Sequence, residues 1–216
     1  MTSTTKKLCV LAMIAAVAFI LAAFVRVPVV LFLRYDPKDV VMAIAGFLYG
    51  PMAAFLVIVV VSVVQMFTIS ATGPIGLLMN IISSAAFCCT AAFIYKKRRT
   101  MSGAVIGLSV AVVFATAVML LWNYIITPLF MDIPRQAVVA LLIPAFLPFN
   151  LISHSLNAAF TLLLYKPVKS ALQAGAMMPS AEETEGKSNR KIGVILGSGF
   201  VILTCVLWVM ILQGYF

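Results

Sequence analysis

Charge is scarce in this chain: only 10% of its residues are charged, against roughly 25% in an ordinary soluble domain, while 64% are hydrophobic against roughly 45–50%. No Lys, Arg, Asp or Glu falls in residues 8–25, 40–95, 100–131, 136–165 or 192–216. Those gaps are membrane-sized, because about 20 apolar residues at 1.5 Å each cross about 30 Å of hydrocarbon. A soluble globular domain is therefore excluded. Missing carboxylates in the apolar stretches also argue against an autonomous proton- or sodium-driven carrier, whose relays use such groups. No Gly-Lys phosphate loop is present, so the chain does not itself hydrolyse ATP. Cys9, Cys88, Cys89 and Cys205 show no metal-ligand spacing and sit mostly in apolar surroundings, which predicts neither a metal site nor a disulfide. The one histidine, His154, has no carboxylate or nucleophile motif beside it, and no enzyme activity is expected.

What is present divides the chain into helices. The apolar and turn signals predict helices over about 8–25, 38–49, 51–69, 75–95, 103–129 and 136–165, with another over 192–213. The breaks are Gly50-Pro51, the cluster 70–74, and the loop 131–135. Residues 29–39 are too polar to span. The 38–49 helix is short for a span and is expected to be tilted or shielded by its neighbours. In 136–165, Pro144 and Pro148 place the start of the deep helix near Pro148, with 137–147 as an interfacial lead-in. Three parts follow: a six-helix membrane domain over 1–168, a cytoplasmic linker over 169–191 rich in Ser, Glu and Gly, and a further transmembrane helix within 192–216. Lys6 and Lys7 before an apolar run resemble a signal peptide, but no small-x-small exit follows, so an uncleaved first span is expected.

The net charge of +9 sits in short basic runs between apolar segments, which points to membrane orientation rather than to nucleic acid. With the N-terminus in the cytoplasm, eleven cations face inward (Lys6, Lys7, Lys96, Lys97, Arg98, Arg99, Lys166, Lys169, Lys187, Arg190 and Lys191) and four outward (Arg26, Arg34, Lys38 and Arg135). The positive-inside bias selects that topology, and the seventh helix then carries the C-terminus outside. The loop holding Arg26, Arg34 and Lys38 runs against the bias.

Uncharged polar residues recur at chosen depths. Asn150, Ser153, His154 and Asn157 stand at i, i+3, i+4 and i+7, on one face of a helix. That face turns inward, either as interhelical hydrogen bonds or as the lining of a cavity for a polar ligand. Asn80, Asn123 and Asn150 are all expected in the outer third of the bilayer, and Gln65 can join the same layer. Amides offer donors and acceptors together, as a heterocycle with alternating carbonyl and N–H edges requires. Trp122, Tyr124 and Phe149 are adjacent, for stacking or for interfacial anchoring. On the first helix, Ala12 with Ala16 and Ala18 with Ala22 form small-residue pairs suited to close helix packing, internal or against a partner protein.

The series Leu33-Arg34-Tyr35-Asp36-Pro37-Lys38-Asp39-Val40, Gly46-Phe47-Leu48-Tyr49-Gly50-Pro51, Thr72-Gly73-Pro74 with Asn80, Asn123-Tyr124 with Pro128, and Leu147-Pro148-Phe149-Asn150 resembles the riboflavin-specific substrate-binding (S) component of energy-coupling factor (ECF) transporters. The likeness covers about 8–168. It implies an all-α six-helix membrane protein that captures a vitamin from outside and works with a transmembrane coupling subunit and two ATPases. It further implies that the loop with Tyr35 and Asp36 closes over the flavin, that Asn123 and Asn150 contact it, and that the alanine face of the first helix meets the coupling subunit. The family often has Lys at the position of Ser153, a Lys-Asn and a His in the helix where Val61, Ser62 and Gln65 stand, and Glu at Leu77. These departures leave a related flavin, or another vitamin such as a thiamine precursor or pantothenate, as alternative ligands; a non-transport membrane assembly protein is the rival of another class.

Overall fold

The computed structural model describes residues 3–25, 27–30, 33–70, 72–175, 177, 197–199, 201–206, 208 and 210. Helix α1 (Ser3–Phe24) leads into a two-stranded hairpin, β1 (Val27–Val30) and β2 (Leu33–Tyr35), followed by α2 (Lys38–Tyr49), α3 (Pro51–Thr68), α4 (Gly73–Lys97) and α5 (Met101–Met131). Helix α6 (Arg135–Leu141) and a π-helical turn (Leu142–Phe146) then run into α7 (Leu147–Ala174). Five of these spans are long and apolar enough to cross a membrane: Thr4–Phe24, Pro51–Thr68, Gly73–Lys97, Met101–Leu129 and Arg135–Ala174. With α2 they make the expected six-helix all-α membrane bundle.

Helix α2 has 12 residues, which rise only about 18 Å. It is nonetheless enclosed, touching α1, α3, α4 and α7 and burying Val40 and Met42 through Phe47. The approach to α4 is close enough that a Cβ on Gly46 would stand 2.7 Å from Cβ of Ala92. Gly50, at φ +94°, supplies the left-handed residue that ends α2, and Pro51 opens α3 without needing the N–H it lacks. Thr100 caps α5 by accepting from the Gly103 N–H at 3.1 Å, and Asp132 ends it in the left-handed conformation at φ 51°.

The hairpin is the element that hydropathy did not anticipate. Val27 pairs with Tyr35, Pro28 with Arg34 and Val30 with Leu33, antiparallel. Both strands are edges, which is where Pro28 is tolerated. At the other end of the bundle's sequence, Pro148 lies in the first turn of α7 as expected, and α7 continues through Pro167 to Ala174. Residues 178–196, most of the expected linker, and the ends of the seventh helix lie outside the described residues; 197–199 and 201–206 are helical. Cys205, with Val201 and Ile202, packs against Tyr35, Ile152 and Leu156.

The alanine stripe of α1 splits in two. Ala18 and Ala22 are fully buried in the bundle, whereas Ala12 and Ala16 are exposed. Six residues along a helix rotate the side chain by about 120° from its start, so the two pairs cannot share a face. Ala18 and Ala22 thus serve internal packing, and Ala12 and Ala16 face outward.

Candidate functional site: a polar layer under the hairpin

Tyr35, the last residue of β2, is only 8% exposed, and its hydroxyl donates to Oδ1 of Asn157 on α7 at 2.8 Å. Strand geometry turns this side chain inward, and the polar face of α7 supplies its partner. Burial, reinforced by the nearby negative charges of Asp39 and Asp36, pushes the Tyr35 phenol above its usual value of 10.0. It therefore stays a hydrogen-bond donor at physiological pH.

Asp36 folds the chain into α2. Its Oδ1 accepts from the Lys38 N–H at 3.0 Å, and its Oδ2 takes the Lys38 ammonium at 2.8 Å. This side-chain turn is a common start for a helix. The same ammonium donates to Oδ1 of Asn80 on α4 at 3.2 Å. One turn further along α4, Ser84 donates to Oδ1 of the buried Asp39 at 2.5 Å, and the Cys88 thiol faces the Asp39 carbonyl at 3.4 Å. Thus β2, α2, α4 and α7 are joined by polar contacts at the hairpin end.

The sequence-predicted residues fall into three groups. Tyr35, Asp36, Asn80 and Asn157 belong to the connected layer. Asn123 and Asn150 are buried, but their amides bond one turn back along their own stretch of chain: Asn123 Nδ2 to the Met119 carbonyl at 2.8 Å with Thr127 on its Oδ1 at 3.1 Å, and Asn150 Nδ2 to the Phe146 carbonyl at 2.7 Å. Ser153, His154 and Gln65 form the third group. All are buried, and the Ser153 hydroxyl, both His154 nitrogens and Gln65 Oε1 have no hydrogen-bond partner among the described residues. The His154 ring instead stacks on Phe87 of α4, 5.4 Å away and tilted 19°. A buried polar atom without a partner costs about 1–3 kcal/mol, so these groups are suited to receive hydrogen bonds from, or donate them to, a polar ligand or water.

Sequence reasoning missed Lys38, Asp39 and Ser84 as members of the layer. The signal was the cationic loop at odds with the positive-inside bias, of which Lys38 is part: it is only 6% exposed and paired, hence not a topological loop charge. Among the adjacent aromatics, Tyr124 is exposed with the Arg135 guanidinium 5.2 Å over its ring, the arrangement of an interfacial anchor.

Comparison with known proteins places this geometry. The profile of the family described as "ECF transporter, substrate-specific component" matches residues 6–165. The riboflavin transporter RibU of Staphylococcus aureus (strain TCH60) is 29% identical over 177 residues, 78% of this chain and 93% of that one. The riboflavin transporter FmnP of Bacillus subtilis (strain 168) is 30% identical over 175 residues, 74% and 91% of the two chains. A solved structure, described as "Structure and mechanism of the S component of a bacterial ECF transporter", superposes with a TM-score of 0.66 at 28% identity, over 79% of this chain and 99% of that one.

Proposed function

The chain belongs to the substrate-specific components of ECF transporters, and we propose that it captures riboflavin or a closely related flavin at the hairpin end of the bundle. The observation that carries this reading is the inward polar face of α7, closed by Tyr35 on Asn157 and holding unpartnered Ser153 and His154 beside it. The similarity to two transporters named for riboflavin supports the choice of ligand. In this reading the flavin's carbonyl and N–H edge meets Asn150, Ser153 and His154. A neutral imidazole offers one donor and one acceptor, and a serine hydroxyl offers either. Tyr35, Asp36 and Lys38 form the closing side, while Asn80, Asn123 and Gln65 complete the layer. No reaction is assigned to the chain itself.

Uptake then requires energy from elsewhere, and the proposed partners are the transmembrane coupling subunit with its two ATPases, docking near the outward-facing Ala12 and Ala16 of α1. The proposed orientation in the cell membrane has the N-terminus cytoplasmic, the hairpin outside, and the C-terminus outside after a seventh span. A second ligand reading is kept because Ser153, Leu77 and Gln65 depart from the riboflavin pattern: a different vitamin, such as a thiamine precursor or pantothenate.

The test is flavin fluorescence of the purified full chain in mild detergent. Saturable quenching by riboflavin at about one ligand per chain, resisted by other vitamins in competition, is the expected result. A folded protein that leaves riboflavin fluorescence unchanged would overturn the flavin assignment.

A further inference from the structure

At the end of the bundle away from the hairpin, the last turn of α2 with Gly50, and the end of α4 with Arg99 just beyond it, line an open cavity of about 240 Å³. One wall is aromatic and well braced. Phe47 stacks on Tyr95 at 4.4 Å, Tyr165 meets both rings edge-on, and the Tyr95 and Tyr165 hydroxyls share a hydrogen bond of 2.9 Å. Lys96 and Arg99 line the opening. The Lys7 ammonium stands 5.6 Å from the centre of the Tyr49 ring, another lining residue. The Tyr49 hydroxyl is buried and has no partner among the described residues.

No carboxylate lines this cavity. Of the described acids, Asp36 precedes α2, Asp39 lies in its first turn and Asp132 follows the end of α5, and neither Lys96 nor Arg99 has a carboxylate partner among the described residues. Two exposed cations beside an unpaired hydroxyl donor suit an acceptor that is anionic and carries several oxygens, which describes a phosphate. The surroundings select its source. In the adjoining turns of α3 and α4, Met52 and Phe93 are 70% and 52% exposed, so apolar surface begins where the cations end. Basic pockets between helices at this level of a membrane receive lipid headgroups.

We propose that this cavity seats the phosphate of an anionic phospholipid. Arg99 and Lys96 hold the phosphate oxygens, Tyr49 donates its hydroxyl to one of them, and the acyl chains lie along the apolar surface around Met52 and Phe93. The site is independent of the flavin layer at the hairpin end.

Native mass spectrometry of the delipidated full chain in mild detergent tests it, titrating phosphatidylglycerol, phosphatidylcholine and inorganic phosphate in parallel. Phosphatidylglycerol should bind about tenfold or more tighter than phosphatidylcholine, and the Lys96→Gln/Arg99→Gln variant should lose about that factor. Tyr49→Phe should lose roughly threefold, and carries the test if the double variant does not fold. A charge-matched Lys166→Gln/Lys169→Gln control, outside the lining, should keep wild-type binding. Equal affinity for the two lipids, or an equal loss in the control, would overturn the site. Displacement of phosphatidylglycerol by millimolar inorganic phosphate would overturn the lipid and assign a soluble phosphate instead.

Discussion

The two ends of the bundle handle charge in opposite ways. At the hairpin end every charge described in the layer has a partner: Asp36 with Lys38, Lys38 also with Asn80, and Asp39 with Ser84. At the other end Lys96 and Arg99 line a cavity with no carboxylate in it. The first arrangement gives each buried ionic group a counter-charge or a hydrogen-bond donor, because desolvation of a lone charge is prohibitive. The second leaves its charges exposed to the surroundings, where water or an anion can meet them. Charges are thus met by the protein's own groups at the hairpin end, whereas at the other end no carboxylate among the described residues meets them.

Substitutions at the hairpin end should disturb ligand capture, and matched ones at the basic end should not. The largest effect is expected from Asn157→Leu, which leaves the Tyr35 hydroxyl buried and unpaired: flavin affinity should fall by about 2–3 kcal/mol. Tyr35→Phe should lose less, about 1 kcal/mol, and the double variant should lose less than the sum of the two, as read by titration and a double-mutant cycle. Full additivity would show that the two side chains do not act together.

Next comes Ser84→Ala, which strips the buried Asp39 carboxylate of its hydroxyl donor. A loss of roughly 1–2 kcal/mol in stability, read as a lower thermal midpoint in detergent, is expected, whereas Lys96→Gln should leave the midpoint unchanged. Equal effects would erase the contrast between the ends. The smallest expectation is an absence of change. Because the Tyr35 phenol is raised by burial and by Asp39 and Asp36, its contribution is fully present below the ordinary tyrosine value and is lost only as pH rises through the higher folded value. The difference in tyrosinate absorbance between wild type and Tyr35→Phe should stay flat up to about pH 10; a step at or below that pH would show that the phenol is not buried.

Much of the architecture was legible because its causes are local. Long apolar runs, the Gly50-Pro51 break and Pro148 at the start of α7 act over a few residues, and the structure has its elements where those signals stand. The hairpin was not legible, since two strands of four and three residues carry too little periodicity to separate from a loop. In the site, the periodic face of α7 was visible as a stripe, but the contacts of Lys38 with Asn80 and of Asp39 with Ser84 span 42 and 45 positions. The same limit explains Asn123 and Asn150: their inward placement was readable, whereas their return to Met119 and Phe146 depends on which neighbours the bundle offers.

By itself the sequence determined that this is a membrane chain of six core helices, where those helices break, and that one face of α7 is polar, because hydropathy, proline and helical period need no knowledge of distant residues. Only the tertiary structure decided that Tyr35 reaches Asn157, that Lys38 and Asp39 are buried and hydrogen-bonded rather than loop charges, and that Ala18 and Ala22 of α1 face inward. Those outcomes depend on which surfaces are pressed together, and the membrane-buried bundle tolerates a polar group only where a particular neighbour receives it.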